Sequence, residues 1–157
     1  MKSKVLITGA NGQLGKTIKE ISSDFTNSID FVFVEKSELD ITNSKSVEIY
    51  FQSNKFDYCI NCAAYTNVDL AETETKIAFD VNANAAKNLA VNCKAYNTTL
   101  IHVSTDYVFD GTKQSPYTES DLTNPINTYG ESKLLGEDYI RKHLDNYFII
   151  RTSWLYS

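Results

Sequence analysis

The sequence predicts an α/β protein with a doubly wound parallel sheet, and two observations carry that prediction. Short runs of consecutive apolar residues recur along the chain, and segments with helical apolar spacing separate them. Continuous apolar runs are typical of strands buried on both faces, and alternating strands and helices form right-handed βαβ units. Ligands of such sheets bind at the carboxyl ends of the strands.

Five strands and four principal helices are expected. The predicted strands are residues 5–8, 31–34, 58–61, 99–103 and 147–151. The predicted helices are residues 13–22, 44–51, 75–96 and 128–143. In the second helix, Val47 and either Tyr50 or Phe51 should face the core. A polar loop over residues 106–127 contains both prolines and joins the fourth strand to the last helix.

Composition excludes several classes of protein. A chain of 157 residues with 42% hydrophobic content is one domain's worth of sequence with enough apolar residues for a core. No apolar run is long enough to cross a membrane, and the run after Lys4 is too short for a secretion signal, so we expect a cytoplasmic protein without a membrane partner. The net charge of −5 and the lack of a basic stripe argue against nucleic-acid binding.

Cys59 and Cys62 have the CxxC spacing, which leaves two interpretations open. One is a redox pair or half of a metal site, and the other is a pair of small residues in and after a buried strand. The sequence favours the buried strand, because there is no second cysteine pair and a reactive pair is typical of a helix N-terminus. No residue therefore warrants assignment as a metal ligand.

A glycine-rich segment directly follows the first predicted strand and precedes the first helix. In this GxxGxxG pattern, Gly9 would permit a tight turn, Gly12 would let the backbone approach a pyrophosphate, and Gly15 would let the helix pack closely on the sheet. The N–H groups at the helix start would face the phosphates. This context predicts a dinucleotide-binding Rossmann fold. The predicted contacts are Gly9, Asn11, Gly12, Gln13, Leu14 and Gly15.

The residues after the second strand bear on which cofactor is bound. An acidic side chain at this position grips the ribose 2′-hydroxyl of NADH, and Glu35 occupies it. Lys36 follows and would accept the 2′-phosphate of NADPH. The sequence leaves the choice between NADH and NADPH open.

Tyr129 and Lys133 lie four residues apart in the last predicted helix, on one face and one turn apart. A nearby ammonium should lower the pKa of the tyrosine, which would then act as a general acid for carbonyl reduction. Ser104, Thr105 and Asp106 end the fourth strand, where a hydroxyl would bind the substrate oxygen that develops charge.

Together these segments resemble the extended short-chain dehydrogenase/reductases, and within them the dTDP-4-dehydrorhamnose reductase subfamily. The resemblance covers residues 5–156. The segments that carry it, besides the glycine loop and residues 129–133, are residues 38–42, 61–69, 71–72, 103–111 and 151–154.

The resemblance implies a role for each matching residue. Tyr129 would donate the proton, Lys133 would support it and bind the nicotinamide ribose, and Thr105 would tune the hydrogen bond to the 4-keto group. Asp40 and Ile41 would flank the adenine. The implied reaction is reduction of dTDP-4-dehydro-L-rhamnose to dTDP-L-rhamnose by NADPH or NADH. The ribose–nicotinamide side would contact Ala63, Ala64, Tyr65 and Thr66, and the dTDP-sugar would contact Thr105, Asp106 and Trp154.

Members of that family are nearly twice as long as this chain, and their carboxyl-terminal part holds much of the sugar-nucleotide pocket. We therefore expect residues 1–157 to form the NAD(P)-binding Rossmann domain, without the substrate domain and with weak or no turnover by themselves. A homodimer is compatible with the resemblance, and the sequence leaves the oligomeric state open.

Other members of the same family remain as alternatives. One is a non-catalytic, NADP-binding regulatory subunit of the methionine adenosyltransferase type, and another is a sugar-nucleotide epimerase or reductase. The sugar-nucleotide dehydratases carry Thr-Asp-Glu after the fourth strand. Tyr107 stands where that glutamate would be, so the dehydratase alternative is disfavoured.

Overall fold

The computed structural model describes residues 2–156, and a five-stranded sheet lies at its centre. All four strand pairs are parallel, and the order across the sheet is β2-β1-β3-β4-β5. This confirms the predicted α/β fold with a parallel sheet. The strands are β1 (Ser3–Thr8), β2 (Ile29–Val34), β3 (Tyr58–Asn61), β4 (Thr99–Thr105) and β5 (Tyr147–Thr152).

The helices agree with the sequence pattern except in the middle of the chain. The predicted helix over residues 75–96 is interrupted by a π-helical turn at Asp80–Asn84. A short helix at Val68–Ala71 was not predicted, and Asn67 caps it by accepting a hydrogen bond from the Leu70 N–H. No helix within residues 2–156 is long and apolar enough to span a bilayer. The helices are α1 (Gln13–Ile21), α2 (Ser44–Ser53), α3 (Val68–Ala71), α4 (Thr75–Phe79), α5 (Ala85–Ala95) and α6 (Thr128–His143).

One face of the sheet forms the main core. Leu6, Cys59 and Leu100 point to this face from β1, β3 and β4, and each is fully buried in a single cluster with residues of α2, α5 and α6. Val47 and Phe51 of α2 are fully buried there, as predicted. Helix α6 packs on this same face through Ile140. The core therefore positions the buried Lys133 and Glu137 of α6 against the end of β4.

The opposite face, here called the α1 face, has much less cover among the described residues. Strand alternation points Phe148 and Ile150 to it from β5, and their side chains are 60% and 52% exposed. The prediction that the strands are buried on both faces is therefore wrong for β5. Beside α1 the face forms an apolar groove of about 350 Å³. The groove is lined by Val5, Ile18, Ile21, Phe25, Ile29, Phe31, Tyr58, Ile60 and Ile101.

The three cysteines form no disulfide: Cys59 lies in β3, Cys62 follows that strand, and Cys93 lies in α5. A hydrogen bond with Cys93 and burial raise the pKa of Cys59 well above its ordinary value. Burial raises the pKa of Cys62 to about 12. Both thiols are thus protonated at neutral pH, which is the property of buried strand residues rather than of a reactive pair.

Candidate active site

The glycine loop connects β1 to α1 at the carboxyl edge of the sheet. Gly9 has φ +69°, and a Cβ there would lie 2.6 Å from the Ala63 backbone nitrogen, so only glycine fits the predicted tight turn. A Cβ at Gly15 would lie 2.6 Å from the Gly9 carbonyl oxygen. We expected Gly15 to let α1 pack closely on the sheet, but the backbone that it approaches is that of the glycine loop.

The space above Gly12 suits a phosphate group. A Cβ at Gly12 would meet one neighbour, the Gly9 carbonyl oxygen, at 3.3 Å. Gly12 is also the N-cap of α1 and supplies no side-chain cap, so the first-turn N–H groups are not covered by a capping side chain. A helix start of this kind favours an anion, and a dinucleotide pyrophosphate fits the residues present.

The residues after β2 lie beside this loop. The Ala10 N–H donates to the Val34 carbonyl at 3.2 Å, which ties the glycine loop to the end of β2. Glu35 and Lys36 follow directly and are both exposed. The structure thus places the two residues that bear on cofactor choice side by side and open to solvent.

Asp40 and Ile41 differ in what their side chains offer. Asp40 Oδ1 accepts hydrogen bonds from the Thr42 N–H and hydroxyl at 3.0 and 2.7 Å, and these bonds lower the pKa of the carboxyl. The Ile41 side chain is buried in the main core. A cofactor would therefore meet the carboxylate of the first residue and chiefly the backbone of the second.

The segment after β3 is held by two buried asparagines. Asn61 Oδ1 accepts from the Thr8 hydroxyl at 2.7 Å and from the Ala63 N–H at 3.2 Å. Asn82 accepts from the Tyr65 N–H at 2.9 Å and donates to its carbonyl at 3.0 Å. Hydrogen bonds thus hold the backbone of Ala63 and Tyr65. The other two predicted ribose–nicotinamide contacts, Ala64 and Thr66, are exposed.

Tyr129 lies in the first turn of α6, which begins where Asn127 caps the Gly130 N–H at 2.7 Å. Its side chain is 9% exposed, and the Tyr107 ring meets it edge-on at 5.5 Å. Burial raises the pKa of Tyr129, and a hydrogen bond with Thr105 offsets part of that increase. The phenol is consequently protonated at neutral pH and has a hydroxyl partner at the end of β4.

Lys133 lies one turn further along α6 and is 2% exposed. Its Nζ donates to the Val103 carbonyl at 2.6 Å, and burial lowers its pKa to about 8. We expected the ammonium to lower the pKa of Tyr129, but the structure contradicts this. Desolvation dominates at the phenol, and the ammonium is directed to the backbone of β4.

The predicted sugar-nucleotide contacts meet at the same edge. Thr105 pairs with Thr152 across β4 and β5, so Trp154 follows β5 close to the end of β4. Its side chain is 75% exposed. A cleft of about 230 Å³ opens at the residues that follow β4 and is lined in part by Asp106 and Tyr107.

Two buried residues of this region were missed by the sequence analysis. Asn82 also donates to the Ser132 hydroxyl at 2.9 Å, and Ser132 in turn donates to the Tyr129 carbonyl at 2.7 Å. Glu137 is fully buried and binds Ser104 and two arginines. The position of Glu137, four residues after Lys133, could have indicated that the two share a face of α6. No local sequence pattern indicates the role of Asn82, because its partners are 17 and 50 residues away.

Residues 3–157 match the family described as the RmlD substrate binding domain. The chain belongs to this RmlD family. Two curated relatives fit that membership. A dTDP-4-dehydrorhamnose reductase of Aggregatibacter actinomycetemcomitans is 41% identical over 98% of this chain and 52% of its own length. A dTDP-4-keto-6-deoxy-D-glucose reductase of Streptomyces niveus is 39% identical over 99% of this chain and 54% of its own length.

Solved structures of the RmlD type superpose closely. The dTDP-4-dehydrorhamnose reductase of Bacillus anthracis in complex with NADP has a TM-score of 0.95 and 44% identity, covering 99% of this chain and 55% of that one. The Clostridium acetobutylicum enzyme of the same name has a TM-score of 0.92 and 41% identity, covering 98% and 54%. The chain spans about half the length of the relatives that it matches.

Proposed function

We propose that this chain is the NAD(P)H-binding domain of a reductase that converts dTDP-4-dehydro-L-rhamnose to dTDP-L-rhamnose. The observation that carries the proposal is the placement of buried Tyr129 and Lys133 one turn apart on α6, with Lys133 bonded to β4 at the sheet edge where the glycine loop lies. The names of the relatives in the RmlD family support the choice of sugar nucleotide.

The cofactor would lie across the carboxyl edge of the sheet. The glycine loop and the start of α1 would hold its pyrophosphate, Asp40 and Ile41 its adenine side, and residues 63–66 its nicotinamide side. When bound, NADPH or NADH supplies the hydride for carbonyl reduction. The NADP in the Bacillus anthracis relative favours NADPH, with exposed Lys36 available to the 2′-phosphate.

Three side chains of this chain would donate the proton, orient the carbonyl oxygen and bind the cofactor's ribose. A tyrosine whose pKa is raised by burial is fully protonated at pH 7, so Tyr129 can donate to the 4-keto oxygen as negative charge develops there. The Thr105 hydroxyl would orient that oxygen. Lys133, whose Nζ lies against the Val103 carbonyl, would bind the nicotinamide ribose. Asp106 and Trp154 would contact the sugar nucleotide.

The first test is titration of NADH and NADPH into this chain, followed by nicotinamide fluorescence. We expect saturable binding that Gly12→Trp abolishes, because the indole would fill the space above the loop. The matched control is Ser23→Trp, which adds the same ring at an exposed position in the turn after α1 and should leave binding unchanged. Unaltered binding to a folded Gly12→Trp variant would refute the placement of the cofactor.

Turnover distinguishes the domain from the whole reductase. With the dTDP-sugar and NADPH, residues 1–157 alone should oxidise NADPH slowly, because the relatives that carry the reductase name are about twice as long. Rapid turnover by this chain alone would contradict its assignment as a cofactor domain. Residual turnover that Tyr129→Phe removes would support the proton-donor role.

A further inference from the structure

Glu137 is a fully buried carboxylate on the catalytic face of α6. It follows Lys133 by four residues and Tyr129 by eight, so the three side chains lie in one row along the helix. Its carboxylate accepts hydrogen bonds from the Ser104 hydroxyl at 2.6 Å and from Arg151 Nε and Nη2 at 3.0 and 2.6 Å. Arg141 Nη2 adds another at 2.6 Å.

These bonds keep Glu137 ionised inside the protein. Burial works to raise the pKa of Glu137, but hydrogen bonds from Arg151 and Ser104 outweigh it and lower the pKa. A buried carboxylate is costly unless it is paired and its oxygens are hydrogen-bonded, and here both conditions are met. The result is a fixed negative charge that joins α6 to β4 and β5.

Lys133 is the neighbour that this charge affects. Its Nζ donates to the carbonyl of Val103, the residue just before Ser104, so Lys133 and Glu137 contact adjacent residues of β4. Burial disfavours the charged form of Lys133, and the charge of Glu137 opposes that effect. On its own helix Tyr129 is neutral, and on β4 burial and Lys133 hold His102 neutral. The positive charges nearest to Glu137 are those of Arg141 and Arg151, which bind its carboxylate.

We propose that Glu137 is a positioning residue whose buried charge holds Lys133 in its protonated form and whose hydrogen bonds fix α6 against β4 and β5. The assignment of Lys133 as the functional partner rests on the proposed function. The electrostatic relationship between the two side chains does not, because it can be measured without any cofactor.

The test is an NMR titration of this chain containing lysine labelled with ¹³C at Cε, with the Lys133 signal identified by its loss in Lys133→Arg. The wild-type signal should titrate near pH 8. In Glu137→Gln we expect the midpoint to fall by about one pH unit, because the opposing charge is gone and burial remains. The control Glu131→Gln removes an exposed charge from the same helix and should leave the midpoint unchanged.

The direction of the shift separates this role from simple packing. If Glu137 only held the helix in place, its loss would admit water to Lys133 and raise the midpoint toward the ordinary lysine value. A rise, or no change, would overturn the proposal. If Glu137→Gln does not fold, Glu137→Met with Arg151→Met replaces the ion pair by apolar side chains of similar length, and the same fall in midpoint is expected.

Cofactor titration of the same variants tells the two proposals apart. A lowered Lys133 midpoint in a chain that binds neither NADPH nor NADH would leave the role of Glu137 standing and refute the proposed function. Normal cofactor binding with an unshifted midpoint would refute the role of Glu137 alone. If both proposals hold, Glu137→Gln should weaken NADPH binding more at pH 8.5 than at pH 6.5, because more Lys133 is then neutral.

Discussion

Asn82 Nδ2 lies 2.9 Å from Ser132 Oγ, so the π-helical turn between α4 and α5 is hydrogen-bonded to α6 one residue before Lys133. The same side chain holds both backbone groups of Tyr65. π-Helical turns inside α-helices occur frequently at functional sites. Here the turn brings one buried amide to two segments that the proposed cofactor would contact.

Asn82→Ala should lower the free energy of unfolding by about 2–4 kcal/mol, because it leaves buried polar groups of Tyr65 and Ser132 unpaired. Urea denaturation at pH 7 measures this loss. Asn84→Ala is the control, since Asn84 lies in the same turn, is exposed and donates to Asp80 on the surface. Its effect should stay within about 0.5 kcal/mol, and equal losses in the two variants would contradict the argument.

His102 should make the protein less stable as the pH falls. Burial, and then the charge of Lys133, hold its pKa well below the ordinary value of about 6.5. The unfolded chain therefore binds a proton first, and stability that is present above pH 6.5 is lost as the pH falls below it. The slope contributed by this group is at most about 1.4 kcal/mol per pH unit.

Urea denaturation of the wild type between pH 7.5 and pH 5.5 measures that slope. His102→Phe removes the group and should flatten it, although it also leaves the Asn61 amide without its partner at 3.1 Å and so lowers stability at every pH. His143→Gln changes the more exposed histidine at the end of α6 and should retain most of the slope. A steep slope that survives in His102→Phe would assign the effect to other groups.

Lys133→Met should stabilise the fold. The shift of the lysine pKa to about 8 corresponds to roughly 3 kcal/mol of unfavourable charge burial at pH 7, which a methionine of similar length avoids. Because the folded pKa lies below the unfolded one, the penalty is present below pH 8 and is relieved as the pH rises toward about 10.4.

The difference in unfolding free energy between Lys133→Met and the wild type is the quantity to measure, at pH 7 and at pH 9.5. It should be large at pH 7 and smaller at pH 9.5, while NADPH affinity falls at pH 7. Lys142→Met on the exposed side of α6 should show neither effect. A destabilised Lys133→Met would mean that the Val103 hydrogen bond outweighs the burial of charge.

Gly9→Ala should cost more stability than Gly111→Ala. Both glycines have φ between +69° and +76°, so both variants lose about 1 kcal/mol through backbone strain. At Gly9 the added Cβ would also lie 2.6 Å from the Ala63 nitrogen, whereas at Gly111 it would meet nothing within 4 Å. We expect a further loss of about 2 kcal/mol at Gly9 by thermal or urea denaturation. Equal losses would show that the loop shifts to accommodate the methyl group.

Local pattern was enough to predict most of the fold. The strands and the helices α1, α2 and α6 lie within about two residues of their predicted positions, because apolar runs and helical apolar spacing are short-range signals. The helix at Val68–Ala71 was missed because four residues show no periodicity. The π-helical turn was missed because it depends on the partners of Asn82, which are 17 and 50 residues away.

The candidate site divides in the same way. The spacing of Tyr129 and Lys133 predicted that they share a face of the last helix, and in the structure both are buried one turn apart on α6. The predicted fall in the pKa of Tyr129 was wrong, because burial raises that pKa and Lys133 donates to the Val103 carbonyl instead. Both effects depend on the folded chain and leave no local signal in the sequence. The absence of a second helical layer over β5 among the described residues was equally invisible, since Phe148 and Ile150 have the same pattern as a fully buried strand.

The sparse cover of the α1 face has a practical consequence for the protein in solution. Contiguous apolar surface of this kind promotes self-association and binds hydrophobic dyes. A solution of these residues should therefore bind such dyes in its native state and salt out at low concentrations of sulfate. Lysine substitutions at Phe148 and Ile150, on an edge strand, should improve its solubility without touching the carboxyl edge where the nucleotide loop lies.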